Sequence, residues 1–345
     1  LDEYNDNVDI KNNTILNNSS YGLYLDEYND NVDIKNNTIL NNTSVGIYMN
    51  QRNNNFNILD NTISNNSGYG IRTYRYNYGN VIENLIVNNG SYGIYLYRME
   101  NQEDESENSG NCEVRDNTVY DHSVYGLYWF SNNELSTKLI AVNNSITNSG
   151  NNGIYCNNGG NYNTIAYNNC WNNSDNYSGD LPTGTGNLTN VNPNGTVCDV
   201  YYNISENPVY VDAVNDDFSL QPTSPNVDAG DPSYTDLDAT PSDIGVFPFL
   251  QDVPIMTVSP SYLDFGQTVV GETDTLNLTI SNIGTDTVRI APLDFSDSTF
   301  YSIYSDSIFV SGDTSIIVPV VFLPAEETSY SGTLTISSNS ETNPI

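Results

Sequence analysis

An unchanged internal repeat opens the chain and limits what it can fold into. Residues 1–18, LDEYNDNVDIKNNTILNN, are identical to residues 25–42, an offset of 24 residues. Weaker copies follow, each with an asparagine two residues before an apolar residue and then a glycine. These positions are Asn13, Asn37, Asn61, Asn84, Asn117, Asn144 and Asn168, with Gly22, Gly46, Gly70, Gly93, Gly126 and Gly153. A short unit in this rhythm predicts stacked repeats instead of one globular core.

Each unit is predicted to hold three short strands. Helical repeats need about 33 residues or more, and asparagine is a poor helix former that tolerates left-handed turns. Apolar and polar residues alternate instead, as at Val8 and Ile10 and at Leu23 and Leu25, which is typical of strands. Three strands joined by Asn and Gly corners make one coil of a parallel β-helix. An asparagine at the same corner of successive coils can bond to its neighbours above and below.

The pattern over residues 1–175 resembles the right-handed, single-stranded parallel β-helix of the pectin-lyase-like superfamily, including NosD-type (PbH1) repeats. The resemblance implies a fold and not an activity, because lyases, hydrolases, epimerases, adhesins and surface rods share it. The fold class predicted is all-β.

Residues 176–250 are predicted to close this β-helix, since an open end exposes strand edges. The run SPNVDAG at 224–230 resembles the closing segment of secreted bacterial β-helices. In such segments Asp-x-Asp-Gly usually follows, whereas here Asp236 and Asp238 are followed by Ala239.

Residues 254–345 change character and predict a β-sandwich. Alternating stretches such as LNLTI at 276–280 and TLTI at 333–336 are separated by turn sequences. The segment resembles the HYDIN/ASH-like immunoglobulin-fold modules that follow bacterial surface β-helices. The resemblance implies a truncated module, a further strand beyond Ile345, an export signal upstream and an anchor downstream. It therefore implies a fragment of a secreted or cell-surface bacterial protein.

One outer face is predicted to carry tyrosines and arginines. Counted from each repeat glycine, the first and third residues are mostly apolar and should point inward, so the second should point outward. The predicted carbohydrate-binding residues are Tyr24, Tyr48, Arg72, Tyr74, Arg75, Tyr95, Tyr97, Arg98, Tyr128 and Tyr155. Aromatic rings can stack on sugars, and arginines can hold uronate carboxylates. The alternative is that exposed tyrosines simply pair across strands.

Charge and composition exclude some classes of partner. With 9 Lys and Arg against 43 Asp and Glu the net charge is −34, which makes nucleic acid a poor partner. No apolar run is long enough to span a membrane. Together with the resemblance, which implies export to the cell surface, the sequence favours a non-catalytic, monomeric surface protein that displays a face for carbohydrate or partners. The alternative is a pectate-lyase-like polysaccharide lyase or related enzyme, although no catalytic motif is found and catalytic residues stay unknown. The single histidine, His122, is interpreted as a solvated turn residue.

Calcium is the one cofactor considered. The repeat stacks Asp2 over Asp26 and Glu3 over Glu27, and such like charges should repel unless calcium lies between them. Screening by salt and by the lysines of the same coils is the alternative. A second predicted metal group is formed by Asp236, Asp238 and Asp243.

The sequence allows the cysteines to be either free thiols or disulfide-bonded. There are four of them, Cys112, Cys156, Cys170 and Cys198. The first three occupy core positions of the repeat and are expected to be buried thiols. Their even number also permits disulfides in an exported protein.

Overall fold

The protein is described here by a computed structural model that covers residues 1–75, 77–99, 111–131, 137–251 and 253–340. These residues form two compact units. The first comprises Leu1–Tyr234 with Pro241–Phe249, and the second comprises Thr235–Thr240 and the chain from Leu250 onward. Both are built from strands, with two short 3₁₀ turns at Gly160–Tyr162 and Ala213–Asn215, which confirms the all-β prediction.

The first unit contains three parallel sheets of seven strands, and each coil contributes one strand to each sheet. Sheet 1 consists of Asp6–Lys11, Asp30–Lys35, Asn54–Leu59, Tyr78–Ile82, Cys112–Arg115, Leu139–Val142 and Thr164–Ala166. Sheet 2 consists of Thr14–Leu16, Thr38–Leu40, Thr62–Ser64, Leu85–Val87, Thr118–Tyr120, Ser145–Thr147 and Asn169–Trp171. Sheet 3 consists of Leu23–Leu25, Ile47–Met49, Ile71–Tyr74, Ile94–Tyr97, Leu127–Phe130, Asn152–Asn157 and Asp175–Gly179.

Successive coils pair in the register of the sequence repeat. In sheet 1, Ile10 lies beside Ile34, which lies beside Ile58. The inward side chains of all three sheets form one continuous core, in which the central residues are wholly buried. Ile10, in the first coil described, is only partly buried. The predicted parallel β-helix is therefore confirmed, and its core is a stack of layers, one per coil.

A ladder of buried asparagines runs along the corner between sheets 1 and 2. The backbone N–H and the Nδ2 of Asn37 both donate to Oδ1 of Asn61 at 3.0 Å, and Nδ2 also donates to the Ile10 carbonyl at 2.8 Å. The same pattern includes all seven asparagines predicted for this column and ends on Asn203. Each amide thus satisfies backbone groups of its own coil and of a neighbouring coil.

Two further ladders occupy the other corners and were not predicted. One contains Asn5, Asn29, Asn53 and Asn77, and the other contains Asn18, Asn42, Asn66, Asn89 and His122. The interpretation of His122 as a solvated turn residue is wrong, since its side chain is 1% exposed. Its Nδ1 accepts from the Asn89 N–H at 3.2 Å and its Nε2 lies 3.2 Å from the Ile86 carbonyl, so the ring replaces an asparagine amide.

The chain beyond the last coil closes the end of the helix. The backbone of Ile204 bonds to Asn168 and Cys170 as a further strand would. The buried Asp199 carboxylate accepts four hydrogen bonds, from Asn203 twice, Tyr201 and Gly186, and so fixes this turn.

Residues 208–234 and 241–249, here the return segment, then lie back along the outer face of sheet 2. Tyr210 bonds through its hydroxyl to Ser145 at 2.7 Å, and the Val246 N–H donates to Thr118 at 3.1 Å. The Phe218 ring contacts Tyr120 with centroids 5.0 Å apart. The segment therefore covers the flank of the later coils as well as following the closed end.

The four cysteines are all buried and free, and for Cys112, Cys156 and Cys170 this agrees with the core positions expected from the repeat. Burial raises the pKa of Cys112 to about 12, so this thiol is unreactive.

The second unit is an antiparallel β-sandwich. One sheet has the order Met256–Ser259, Asp274–Asn282, Thr314–Phe322 and Phe300–Ser302. Two strand pairs face it, Val288–Ile290 with Ile308–Val310 and Asp294–Phe295 with Leu334–Thr335. Its core includes Ile280, Val288 and Val318, each wholly buried.

The ladder predicts a large difference between buried and outer asparagines. Asn61→Ala should lower the free energy of unfolding by about 3 kcal/mol or more, because backbone groups of two coils, the Asn37 N–H and the carbonyls of Ile34 and Leu59, lose partners. Asn80→Ala is the control, since Asn80 makes one amide contact on the outer face, to Asn57 at 3.0 Å, and should cost about 1 kcal/mol or less. Equal losses in urea denaturation would contradict the ladder's role.

His122 predicts a dependence of stability on pH. Burial lowers its pKa to about 4, whereas an unfolded histidine titrates near 6.5. Between pH 7 and pH 5 the unfolded chain therefore gains a proton that the folded chain does not, and His122 should reduce stability by about 2 kcal/mol over that interval. His122→Asn should remove this loss, measured as the difference between the two chains in unfolding free energy at each pH. An unchanged difference would show that the ring is not buried as a neutral group.

Candidate functional site

The outer face of sheet 3 carries a continuous aromatic surface, here the aromatic plate. Its middle column follows the strand register, one residue per coil. The residues of this column are Tyr24, Tyr48, Arg72, Tyr95, Tyr128 and Tyr155. Their inward neighbours on the same strands are buried, apart from the partly buried Leu23, and the column itself is half-buried to exposed, so these side chains lie on the outside. A second column, two residues further along each strand, contains Tyr74, Tyr97 and Phe130.

A third column lies on the residue before the repeat glycine and was missed from the sequence. It contains Tyr21, Tyr69, Tyr92 and Tyr125, whose rings contact those of the middle column. The Tyr-Gly dipeptide at four of six repeat glycines was the available sign. The plate is therefore wider than the predicted stripe.

The rings of the plate stack on one another along the helix axis. Tyr95 and Tyr128 have centroids 4.8 Å apart and an angle of 13° between planes, and Tyr128 and Tyr155 have 5.6 Å and 18°. The faces of the inner rings are thus turned toward neighbouring rings. Solvent meets ring edges and hydroxyl groups, so the expectation that sugars stack flat on these rings does not fit the middle of the plate.

Arginines interrupt the tyrosines near the centre of the plate. The Arg72 guanidinium lies 4.9 Å from the Tyr48 centroid, 5.2 Å from that of Tyr69 and 5.7 Å from that of Tyr74. Arg75 lies 4.8 Å from the centroid of Tyr74. The Nε atoms of both arginines are buried without a hydrogen-bond partner. Within the described ranges no carboxylate pairs with either of them.

Arg75 also belongs to a column of arginines at one corner. Arg52, Arg75 and Arg98 occupy equivalent positions on consecutive coils, all with left-handed backbone angles between 54° and 61°. Arg52 pairs with Glu27 at 3.7 Å. Positive charge is thus concentrated beside the plate, although the chain as a whole carries −34.

Burial keeps the plate hydroxyls protonated. Desolvation raises the pKa of Tyr24 to about 12, and it also raises the pKa values of Tyr48, Tyr95 and Tyr128. These phenols are neutral hydrogen-bonding groups at physiological pH and poor proton acceptors.

A set of carboxylates was missed at the corner after sheet 1, here the acid corner: Asp60, Glu83 and Asp116. They occupy equivalent left-handed positions on three consecutive coils, one residue before each ladder asparagine. Arg115 pairs with Asp116 and with Glu113. The sign in the sequence was the acidic residue that replaces asparagine at this place in three successive repeats.

The predicted calcium residues do not converge. The Asp26 carboxylate accepts hydrogen bonds from Tyr24 and Asn50, and Glu27 lies against Gln51 and Arg52, while Asp2 and Glu3 are exposed.

The second predicted group is occupied by turn contacts. Asp238 accepts hydrogen bonds from the backbone N–H groups of Thr240 and Gln251, and Asp243 accepts them from those of Asp228 and Phe249. Asp236 contributes backbone bonds to a turn with Thr240. No group of three or more potential metal ligands is found among the residues that the structure describes.

No helix in the described ranges is both long and apolar enough to cross a membrane.

Arg72 is predicted to stabilise the plate through its rings. Arg72→Gln should lower the free energy of unfolding of the β-helix by about 1 kcal/mol, because the guanidinium lies over three aromatic rings. Lys138→Gln removes the same charge from an exposed side chain and should change stability by less than about 0.5 kcal/mol. Chemical denaturation of both variants checks this, and equal effects would rule out the ring contacts as the cause.

Parts of the chain resemble known families and a solved structure. Residues 2–171 match the family described as the right handed beta helix region, and residues 256–338 match the family described as transmembrane protein 131-like N-terminal. Among solved structures, the ASH / PapD-like domain of human CEP192 (PapD-like domain 7) is 18% identical, with 25% of this chain and 72% of that chain covered and a TM-score of 0.22. No curated protein matches. The chain is a right-handed parallel β-helix followed by an immunoglobulin-like module.

Proposed function

We propose that this protein is exported to the bacterial cell surface and that its β-helix displays the aromatic plate as a non-catalytic face for acidic polysaccharide. The β-helix fold is consistent with a carbohydrate-related surface protein. The observation that carries the proposal is the pair Arg72 and Arg75, which lie among tyrosines without a carboxylate partner in the described part of a strongly acidic chain.

Unpaired arginines in an acidic protein favour an anionic ligand. Each guanidinium is a planar donor that can bind a carboxylate through two parallel hydrogen bonds. A uronate carboxylate would supply each guanidinium with the anionic partner that the described part of the chain does not provide.

The tyrosines supply the remaining contacts through their hydroxyls. Because the ring faces are turned toward one another, a polysaccharide along the plate would meet a row of neutral phenol groups at about the coil spacing of 4.8 Å. Such groups donate to and accept from sugar hydroxyls. The contact is then polar, spread over several coils and suited to an extended polymer.

The alternative is a polysaccharide lyase or related carbohydrate-active enzyme. A lyase would use the same arginines to neutralise the uronate carboxylate, but it also needs a base beside the sugar. The phenols of the plate have raised pKa values, which disfavours them in that role. Binding without turnover is therefore the proposal.

Substitutions that keep the rings can test the hydroxyls and the arginines separately. Tyr95→Phe and Tyr128→Phe preserve the stack and remove hydroxyls, and each should weaken retention on immobilised pectate or alginate several-fold. Arg72→Gln and Arg75→Gln remove the carboxylate ligands and should weaken it about ten-fold or more. Affinity electrophoresis in gels containing each polymer measures all four.

Matched controls lie away from the plate. Lys138→Gln changes the charge as Arg72→Gln does, and Tyr262→Ala removes an exposed tyrosine of the sandwich, so both should bind as the natural chain does. Equal retention by every variant, or no retention on any acidic polymer, would reject the plate as the binding face. Release of unsaturated sugars that absorb in the ultraviolet would favour the lyase instead.

A further inference from the structure

We propose that the acid corner is a pH-sensitive clamp that holds the return segment more firmly in mildly acidic than in neutral solution. The proposal is independent of the aromatic plate, since it concerns the corner between sheets 1 and 2 and the chain that lies over it.

The acid corner becomes more buried from coil to coil. Asp60 is exposed, Glu83 is half-buried, and the Asp116 side chain is 15% exposed. Asn143, the next residue of the same column, is wholly buried. This gradient exists because the return segment covers the later coils and leaves the earlier ones open.

The return segment is fastened next to these carboxylates. Asn143 accepts from the Asp231 N–H at 2.8 Å and donates to the Ser242 hydroxyl at 3.0 Å, while its own carbonyl accepts from the Gly245 N–H at 2.9 Å. One coil earlier, the Arg115 guanidinium lies 4.6 Å from the centroid of Tyr234.

The carboxylates are arranged so that they disfavour charge. Burial raises the pKa of Asp116 to about 6, against the opposing effect of Arg115. Burial, and then the charge of Asp60, raises the pKa of Glu83 as well. A hydrogen bond from the Asn143 side chain also favours the charged form of Asp116, but it does not cancel the effect of burial.

The other charged groups at the corner also affect whether Asp116 is ionised. Glu113 adds negative charge and remains a partner of Arg115 when Asp116 is protonated. From the return segment, Tyr234 stacks on Arg115, and the Asp231 carboxylate turns back to its own Ser233. One cation thus faces four carboxylates on adjacent positions of the helix, Asp60, Glu83, Glu113 and Asp116.

The direction of the effect follows from these pKa values. A raised folded-state pKa means that the folded chain binds more protons than the unfolded chain between about pH 4 and the folded-state value. Stability from this corner is therefore present in mild acid and is lost as the pH rises through about 6. Above that, stacked charges at about the 4.8 Å coil spacing repel one another beside Arg115 and Asn143, which hold the return segment.

Hydrogen exchange can follow the clamp directly. The amides of Asp231 and Gly245 donate to Asn143, so their protection factors report the attachment of the return segment. In the natural chain we expect these factors, corrected for intrinsic exchange, to fall about ten-fold between pH 5 and pH 7. Asp116→Asn should keep at pH 7 the protection that the natural chain shows at pH 5, because the loss near pH 6 is assigned to the Asp116 carboxylate.

Two comparisons make the result decisive. Asp6→Asn removes one negative charge from a distant acidic column and should behave as the natural chain does. Glu83→Gln is a second variant at the corner and should reduce the pH dependence by the smaller share that Glu83 contributes. Because His122 acts in the opposite direction at another corner, global melting is compared only as the difference between each variant and the natural chain. Unchanged pH dependence in both corner variants, or protection that does not fall in the natural chain, overturns the proposal.

Discussion

The structure depends on keeping the polar groups of every corner satisfied in a dry interior. Each coil must turn three times, and each turn breaks the strand hydrogen bonds that would otherwise pair the backbone. A buried asparagine amide restores them by bonding to its own coil and to the coils on either side. Asn61 does so with Leu59 in its own coil, with Ile34 and Asn37 in the preceding coil and with Asn84 in the next. Stacking in register is therefore the arrangement that leaves the fewest buried groups unpaired, and the register determines where every other side chain lies.

Register also turns single residues into columns, and the consequence depends on their chemistry. Tyrosines repeated at the coil spacing gain stacking contacts of about 1 kcal/mol per pair. Carboxylates at the same spacing repel one another, and the free energy needed to keep them charged rises as water is excluded. The plate and the acid corner are thus opposite results of one geometric rule. Asparagine columns lie between these cases, because an amide is both donor and acceptor and bonds to its own copy.

The repeat in the sequence was sufficient to predict the coils, the inward positions and one asparagine ladder. Two ladders were missed because asparagines such as Asn18 and Asn42 stand in runs of polar residues, where a buried position resembles a solvated one. His122 was misinterpreted for a related reason, since a histidine among polar residues gives no sign that it replaces a buried amide. The stacking direction of the tyrosine rings also lies outside any sequence pattern, because it depends on the side chains of two adjacent coils at once.

The acid corner shows a different limit. The sequence of three repeats is enough to predict its column of acidic residues. Its burial, however, depends on the return segment, which reaches Thr118 and Asn143 from about a hundred residues away in the chain. The segment covers sheet 2 over the later coils, whereas the tyrosines of sheet 3 keep their hydroxyls and edges open. The same closing chain therefore determines which column is desolvated and responds to protons. Coverage by a distant segment, added to the repeat, is what gives otherwise similar faces of the helix different properties.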